Sequence, residues 1–387
     1  MQLEHMRLAL ASRQQQALHR AESVTEPLAG GRLRARRDGV ARDYLNFSGN
    51  DYLGLAGEMS LRQIYADAAL CFGSAATGSP LVTGFHPVHQ ALCDELCDWL
   101  DVDDVLLLSS GFAANHAMMH TLVADDDLLL LDKLCHASMV EAALQKPHFQ
   151  RFLHNDIGSL ANKLAKSQQP TVIATEGVFS MDGDSADLVA IKAVANDSAL
   201  LLDDAHGIGV VGEQGRGTLA AQGLHSRDVQ CLMANFGKAI AAQGGFLAGN
   251  ATVIDYIRQH ARHYIYSTAL APAMCVLVRA TIQQLRQQQW RRDKLAENID
   301  YYRQQAALHQ LPMTASTSAI QPILLHNASQ ALRVSEQLKS HGIWLSAIRP
   351  PTVPTARLRV TLSSAHQKED ILHLVQSIQT TLAEVIA

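Results

Sequence analysis

No two cysteines in this chain of 387 residues stand at CxxC spacing. Six are scattered at Cys71, Cys93, Cys97, Cys135, Cys231 and Cys275, and only Cys93 and Cys97 come within one helical turn. This leaves no disulfide framework and no zinc ribbon, so free thiols in a reducing compartment are the simplest account. Basic excess is missing too: the formal net charge is −5, which excludes a broad cationic surface for nucleic acid. No apolar run reaches the ~18 residues of a membrane span. The opening Met1-Gln-Leu-Glu-His-Met-Arg7 carries charge where a signal peptide needs an apolar stretch. A cytoplasmic protein with no membrane or nucleic-acid partner is expected. Metal signatures are sparse. His116 and His120 lie four apart without the glutamate of HExxH, so no metal site is expected. Internal repeats and low-complexity segments are absent as well.

What is present is the composition of an ordinary soluble α/β enzyme, 48% apolar and 5% aromatic. The length exceeds one small core. We expect an N-terminal helical segment over 1–48, a large α/β domain over 49–270 and a small α+β domain over 271–387. Residues 1–26 read as an amphipathic helix. His86–Leu100 reads as another, with Val88, Leu92, Leu96 and Trp99 on one face. Short apolar runs then alternate with helical patterns. The runs are Val105–Leu108, Asp127–Leu131, Thr171–Ala174, Ala199–Leu202 and Val229–Met233. Helices are expected near Ala113–Val123 and Ser138–Leu144. The alternation predicts a mostly parallel central sheet covered by helices on both faces. A long polar helix over Gln283–Leu308 and an amphipathic one over Lys368–Val385 belong to the smaller unit.

In such sheets ligands bind at the carboxyl ends of the strands. Val105–Leu108 ends in Ser109-Ser-Gly-Phe112, either a helix cap or a phosphate cradle. After Leu131 comes His136, either a loop residue or a ring that stacks on a planar ligand. After Ala174 comes Glu176-Gly-Val-Phe-Ser180. Ala199–Leu202 ends in Asp203-Asp-Ala-His206, either part of a metal site or a carboxylate facing a heterocyclic nitrogen. Val229–Met233 leads to Asn235-Phe-Gly-Lys238. Lys238 is the only charged residue between Asp228 and Asp255. It lacks the glycine and Ser/Thr of a Walker A lysine. A desolvated lysine amine can form a Schiff base or carry protons. An amine, a carboxylate for a ring nitrogen, an imidazole for a ring face and a phosphate cradle at successive strand ends together describe a pyridoxal 5′-phosphate site.

The ordered motifs Asn50-Asp-Tyr-Leu-Gly-Leu55, His136-Ala-Ser138, Glu176–Gly183, Asp203–Gly207, Gly237-Lys-Ala239 and Arg349-Pro-Pro-Thr-Val-Pro354 with Arg357-Leu-Arg359 give the chain a likeness to a known family. It resembles the α-oxoamine synthases, within the fold-type-I pyridoxal phosphate enzymes of aspartate aminotransferase-like fold, and in particular their biotin-pathway branch. The resemblance covers the chain from about Tyr44 onward and implies a homodimer with shared active sites. It implies that Lys238 holds the cofactor and moves protons, Asp203 faces the ring nitrogen and His136 stacks on the ring. Ser180 and His206 would hold the ring's phenolic side, Gly111 and Phe112 its phosphate, and Glu176 would line the site. Ser267 and Thr268 would reach the phosphate of the neighbouring subunit's site. Asn50, Thr352 and Arg359 would meet substrate, Arg359 taking the amino-acid carboxylate, with His136 a donor to the developing oxyanion. The implied reaction joins L-alanine to a pimeloyl thioester, on coenzyme A or an acyl carrier protein, with loss of CO2. Glycine C-acetyltransferase is the sister alternative, and a non-catalytic cofactor-binding sensor a remoter one. The chain departs from the family pattern in four places. Asn235 replaces Ser or Thr, with an amide that still suits phosphate. Cys135 replaces Asn, the segment 354–357 is short, and the N-terminal substrate arginine aligns loosely with Arg20 or His19.

Overall fold

The apolar runs form five strands of a seven-stranded sheet in the computed structural model, which describes residues 2–37 and 39–386. The chain makes two compact units. One comprises Glu58–Ser180 and Asp184–Arg292; the other comprises Met1–Gly57, Met181–Gly183 and Asp293–Ala387.

The first unit contains the large sheet. Its strands run in the order Asp104–Leu108, Gly245–Gly249, Cys231–Asn235, Ala199–Asp203, Thr171–Glu176, Leu128–Asp132, Phe149–Phe152. All are parallel except Gly245–Gly249, which is antiparallel to both neighbours. Side chains on both faces of Leu128–Asp132 and Cys231–Ala234 are buried, which is why these strands read as unbroken apolar runs. The mostly parallel sheet expected from the pattern is the observed one. Helices Pro87–Leu100, Gly111–Leu122 and Ala137–Ala143 lie within two residues of their expected bounds. Leu92, Leu96 and Trp99 of the first are buried, while Val88 is half-buried.

In the second unit, Thr25–Leu28, Arg32–Arg37, Val40–Asn46 and Ile343–Trp344 form one sheet. Ile320–Leu324, Arg357–Thr361 and Ala347–Ile348 form an antiparallel one. The expected helix over residues 1–26 is shorter, Gln2–Gln15, and none of its side chains is buried within the chain. It ends because Ala17 takes a positive φ of 56° and Thr25–Leu28 pairs with Arg32–Arg37. The long polar helix is two helices, Pro272–Gln287 and Gln289–Leu308, broken at Gln288.

Candidate active site

Strand register sets the positions at the carboxyl edge of the large sheet. Glu176 and Asp203 are direct neighbours on adjacent strands, and Gly245 lies between Asn235 and Leu108. Two acids side by side in a buried place cannot both ionise cheaply. Burial pushes the Glu176 carboxyl well above the usual carboxylate range, and the neighbouring Asp203 adds to it. The Glu176 carboxylate faces the backbone N–H groups of His136 and Ser180, the latter at 3.3 Å.

Asp203 is held on both oxygens. Its Oδ2 accepts from Asn115 Nδ2 at 2.7 Å and its Oδ1 from the Ala205 N–H at 3.0 Å. The same Asn115 amide donates to Ser138 Oγ at 2.9 Å, and that hydroxyl lies 2.8 Å from His136 Nδ1. The Ser138 N–H also points at His136 Nδ1, at 3.3 Å. Nδ1 is therefore the acceptor, and the neutral ring carries its proton on Nε2. Burial pulls the His136 pKa down, against the opposing pull of Asp203, so a neutral imidazole is the resting form. Lys238 Nζ lies 2.8 Å from His206 Nε2, and Lys238 is half-buried. The structure thus brings Lys238 and His206 into contact, links Asp203 to His136 through Asn115 and Ser138, and links His136 and Ser180 through Glu176.

The start of helix Gly111–Leu122 forms the other side of the edge. Ser110 Oγ caps it, accepting from the Ala113 N–H at 3.1 Å, and leaves the Gly111 and Phe112 N–H groups at the helix mouth. Asn235 packs on Gly111, where a Cβ would lie 3.1 Å from the Asn235 Cβ. The Asn235 Oδ1 accepts from the Gly237 N–H at 3.1 Å, which turns Nδ2 toward the helix mouth. Phe112 stacks on His116, ring centroids 5.0 Å apart. Cys135 is buried, with its thiol directed at the Ala174 carbonyl at 3.8 Å, and burial raises its pKa well above the ordinary thiol value. Ser267 and Thr268 follow helix Arg262–Ile265, and no side-chain hydrogen bond joins them to the strand-end cluster among the described residues.

In the other unit, Arg359 is buried and donates from both terminal nitrogens to Asn50 Oδ1, at 3.2 Å each. The Tyr52 hydroxyl donates to the same oxygen at 3.1 Å. Arg20 donates to Thr352 Oγ1 at 2.9 Å, and Arg349 donates to the carbonyls of Ala17 and His19 beside it. Of the two candidates for the N-terminal substrate residue, Arg20 is the one whose side chain meets Thr352.

The donor set fits pyridoxal 5′-phosphate. It offers an amine, a carboxylate held at both oxygens, a neutral imidazole and a helix mouth with free N–H groups. Residues 42–378 match the family model for aminotransferase class I and II. The 8-amino-7-oxononanoate synthase of Aeromonas hydrophila subsp. hydrophila is 43% identical, over 96% of this chain and 93% of that one. The chain belongs to the class I and II aminotransferases, among the 8-amino-7-oxononanoate synthases. The solved 8-amino-7-oxononanoate synthase of Francisella tularensis is similar at 26% identity, TM-score 0.78, covering 89% of this chain and 99% of that one. Serine palmitoyltransferase from S. paucimobilis with bound PLP shares the fold, with TM-score 0.92 and 24% identity over 99% of this chain and 98% of that one. Asn115, Ser138 as a bridge and Tyr52 escaped the sequence reading of this aminotransferase-family chain. One signal for Asn115 was available: an amide on the face of a helix whose neighbours Ala113, Ala114, Ala117 and Met118 are all small or apolar and buried.

Proposed function

We propose that the chain condenses L-alanine with a pimeloyl thioester, on coenzyme A or an acyl carrier protein, releasing CO2 and free thiol and giving 8-amino-7-oxononanoate. This is a step of biotin biosynthesis, carried out in the cytoplasm by a homodimer. The observation that carries the reading is the contact of Lys238 with His206 at the strand edge that also holds Asp203, in a chain so similar to 8-amino-7-oxononanoate synthases.

Pyridoxal 5′-phosphate, when bound, supplies the conjugated ring that takes up the electron pair freed at the amino acid's α-carbon. Lys238 Nζ would hold the cofactor, and its amine would take the α-proton of alanine and return one to the product. Asp203, fixed by Asn115 and Ala205, would keep a proton on the ring nitrogen. Gly111 and Phe112 N–H groups and the Asn235 amide would take the phosphate, joined by Ser267 and Thr268 of a second copy. Ser180 and His206 would hold the phenolic side, with Glu176 setting the backbone around them. His136, neutral with its proton on Nε2, would lie against the ring and donate to the oxyanion that forms on the thioester carbonyl. The Arg359 guanidinium would grip the alanine carboxylate at two points, oriented by Asn50 and Tyr52. Arg20 and Thr352 would meet the acyl donor.

Purified protein given L-alanine or glycine with a series of acyl thioesters tests this by mass spectrometry of the product. Alanine with the pimeloyl donor should give 8-amino-7-oxononanoate. Turnover of glycine with a short acyl donor alone would instead identify the sister transferase. Lys238→Ala should leave no turnover, and an active Lys238→Ala protein would remove the lysine from the mechanism.

A further inference from the structure

Behind the strand edge lies an ion-paired cluster that the reaction outlined above does not use. His154 Nδ1 meets Asp132 Oδ1 at 2.9 Å and its Nε2 meets Asp184 Oδ2 at 2.8 Å. An imidazole that contacts a carboxylate through each nitrogen satisfies both only as a cation, since a neutral ring has one N–H. Burial opposes the charge, but the hydrogen bonds to Asp132 and then Asp184 outweigh it and raise the His154 pKa to about 10. Asp132 and Asp184 are the charged groups that face the ring; Phe179 packs edge-on, centroids 4.4 Å apart.

Each carboxylate anchors one turn of the active site. Asp132 is fully buried and accepts from the Leu134 and Asn155 N–H groups at 2.8 and 2.9 Å. Its carbonyl accepts from the Cys135 N–H at 3.3 Å, so this residue shapes the turn that presents His136. Asp184 also accepts from Asn155 Nδ2 at 2.7 Å, and its carbonyl accepts from the Phe179 N–H at 2.9 Å, one residue before Ser180. The two turns meet again at Glu176, which faces the His136 and Ser180 N–H groups.

We propose that His154 is a positioning residue: as an imidazolium clamped between Asp132 and Asp184, it sets where His136 and Ser180 stand toward the cofactor. The inference rests on the cofactor reading above. Removing the charge leaves two carboxylates facing each other across a neutral side chain, and the two turns spread.

Histidine-selective 15N labelling of the holoenzyme tests the charge without any substitution. Near pH 8, about where an unperturbed histidine is neutral, His154 should show both ring nitrogens protonated. A neutral tautomer there overturns the proposal. The positioning claim is tested by cofactor affinity. His154→Gln and Asp184→Asn should each weaken pyridoxal phosphate binding about tenfold, the scale of one charge-assisted hydrogen bond. His154→Arg, which keeps a cation with donors on two sides, should recover most of the loss. Unchanged affinity in His154→Gln and Asp184→Asn, or equal loss in His154→Gln and His154→Arg, overturns it. Should His154→Gln not fold, Asp184→Asn carries the same comparison. A parent protein that binds no pyridoxal phosphate would remove the cofactor reading itself, whereas a binding parent with equally binding variants removes only the role of His154.

Discussion

Asp203 and Asp204 are adjacent in sequence and opposite in circumstance. Asp203 is satisfied on both oxygens, by Asn115 and by Ala205. Asp204 is boxed in by glycines: a Cβ at Gly177, Gly207 or Gly217 would lie 2.1 to 2.3 Å from its carboxylate oxygens. Its Oδ2 accepts from the Thr218 N–H at 2.7 Å, yet burial dominates and raises its pKa to about 7. A buried acid with a raised pKa keeps its proton in the folded state at pH values where the unfolded chain has lost it. Stability should therefore fall as pH rises from about 4 to about 7 and then level off, by an amount on the order of 4 kcal/mol for this group. Asp204→Asn keeps an acceptor for the Thr218 N–H and cannot ionise. Its stability gain over the parent, read from urea unfolding, should grow across that pH window; a gap constant with pH would contradict the assignment. Asn115→Ala should cost about 1–3 kcal/mol in the same assay, since it leaves the Asp203 oxygen without its buried donor. These distinctions set the limit of what the sequence disclosed. Lys238 and Asp203 were legible because a charge after an apolar run is conspicuous. Asn115 was not, because its partners lie 23 and 88 residues away along the chain.

At the scale of elements, the strands that are unbroken runs of large apolar residues were legible and the others were not. Phe149–Phe152 was missed because an edge strand of Phe-Gln-Arg-Phe carries polar side chains and no apolar run. Gly245–Gly249 was missed because it begins and ends in glycine, and its antiparallel direction follows from tertiary contact rather than from local pattern. That strand matters to the site. A Cβ at Gly245 would lie 2.9 Å from the Gly111 nitrogen and from the Ser110 carbonyl, at the mouth of the proposed phosphate cradle. Backbone cannot swing aside as a side chain can, so Gly245→Ala should shift the helix start. Overpacking of this kind costs about 1–3 kcal/mol. Pyridoxal phosphate affinity, measured by equilibrium dialysis, should fall with it, and an unaltered affinity would exclude Gly111 and Phe112 from the cradle. The N-terminal helix is the opposite case. Its leucines suggested a buried face, yet Leu3, Leu8 and Leu10 are all exposed within the chain.

For the whole molecule, the proposed homodimer accounts for two features of the first unit. Leu70, Val82 and Tyr266 are 87%, 78% and 75% exposed, and a second copy would give such side chains cover. Ser267 and Thr268 follow Tyr266, and among the described residues no side-chain hydrogen bond is seen for their hydroxyls. The chain should sediment at twice its own mass. Mixing inactive Lys238→Ala with a Ser267→Ala/Thr268→Ala protein should restore one complete site per mixed dimer, whereas no recovery after subunit exchange would confine each site to a single chain. No helix among the described residues is long and apolar enough to cross a membrane. The proposed site rests on one covalent claim, that Lys238 is the lysine that holds the cofactor. Borohydride reduction of the purified holoenzyme, followed by peptide mass spectrometry, reads it directly. The pyridoxyl-phosphate mass should appear on Lys238 alone; its appearance on another lysine, or on none, would contradict the assignment.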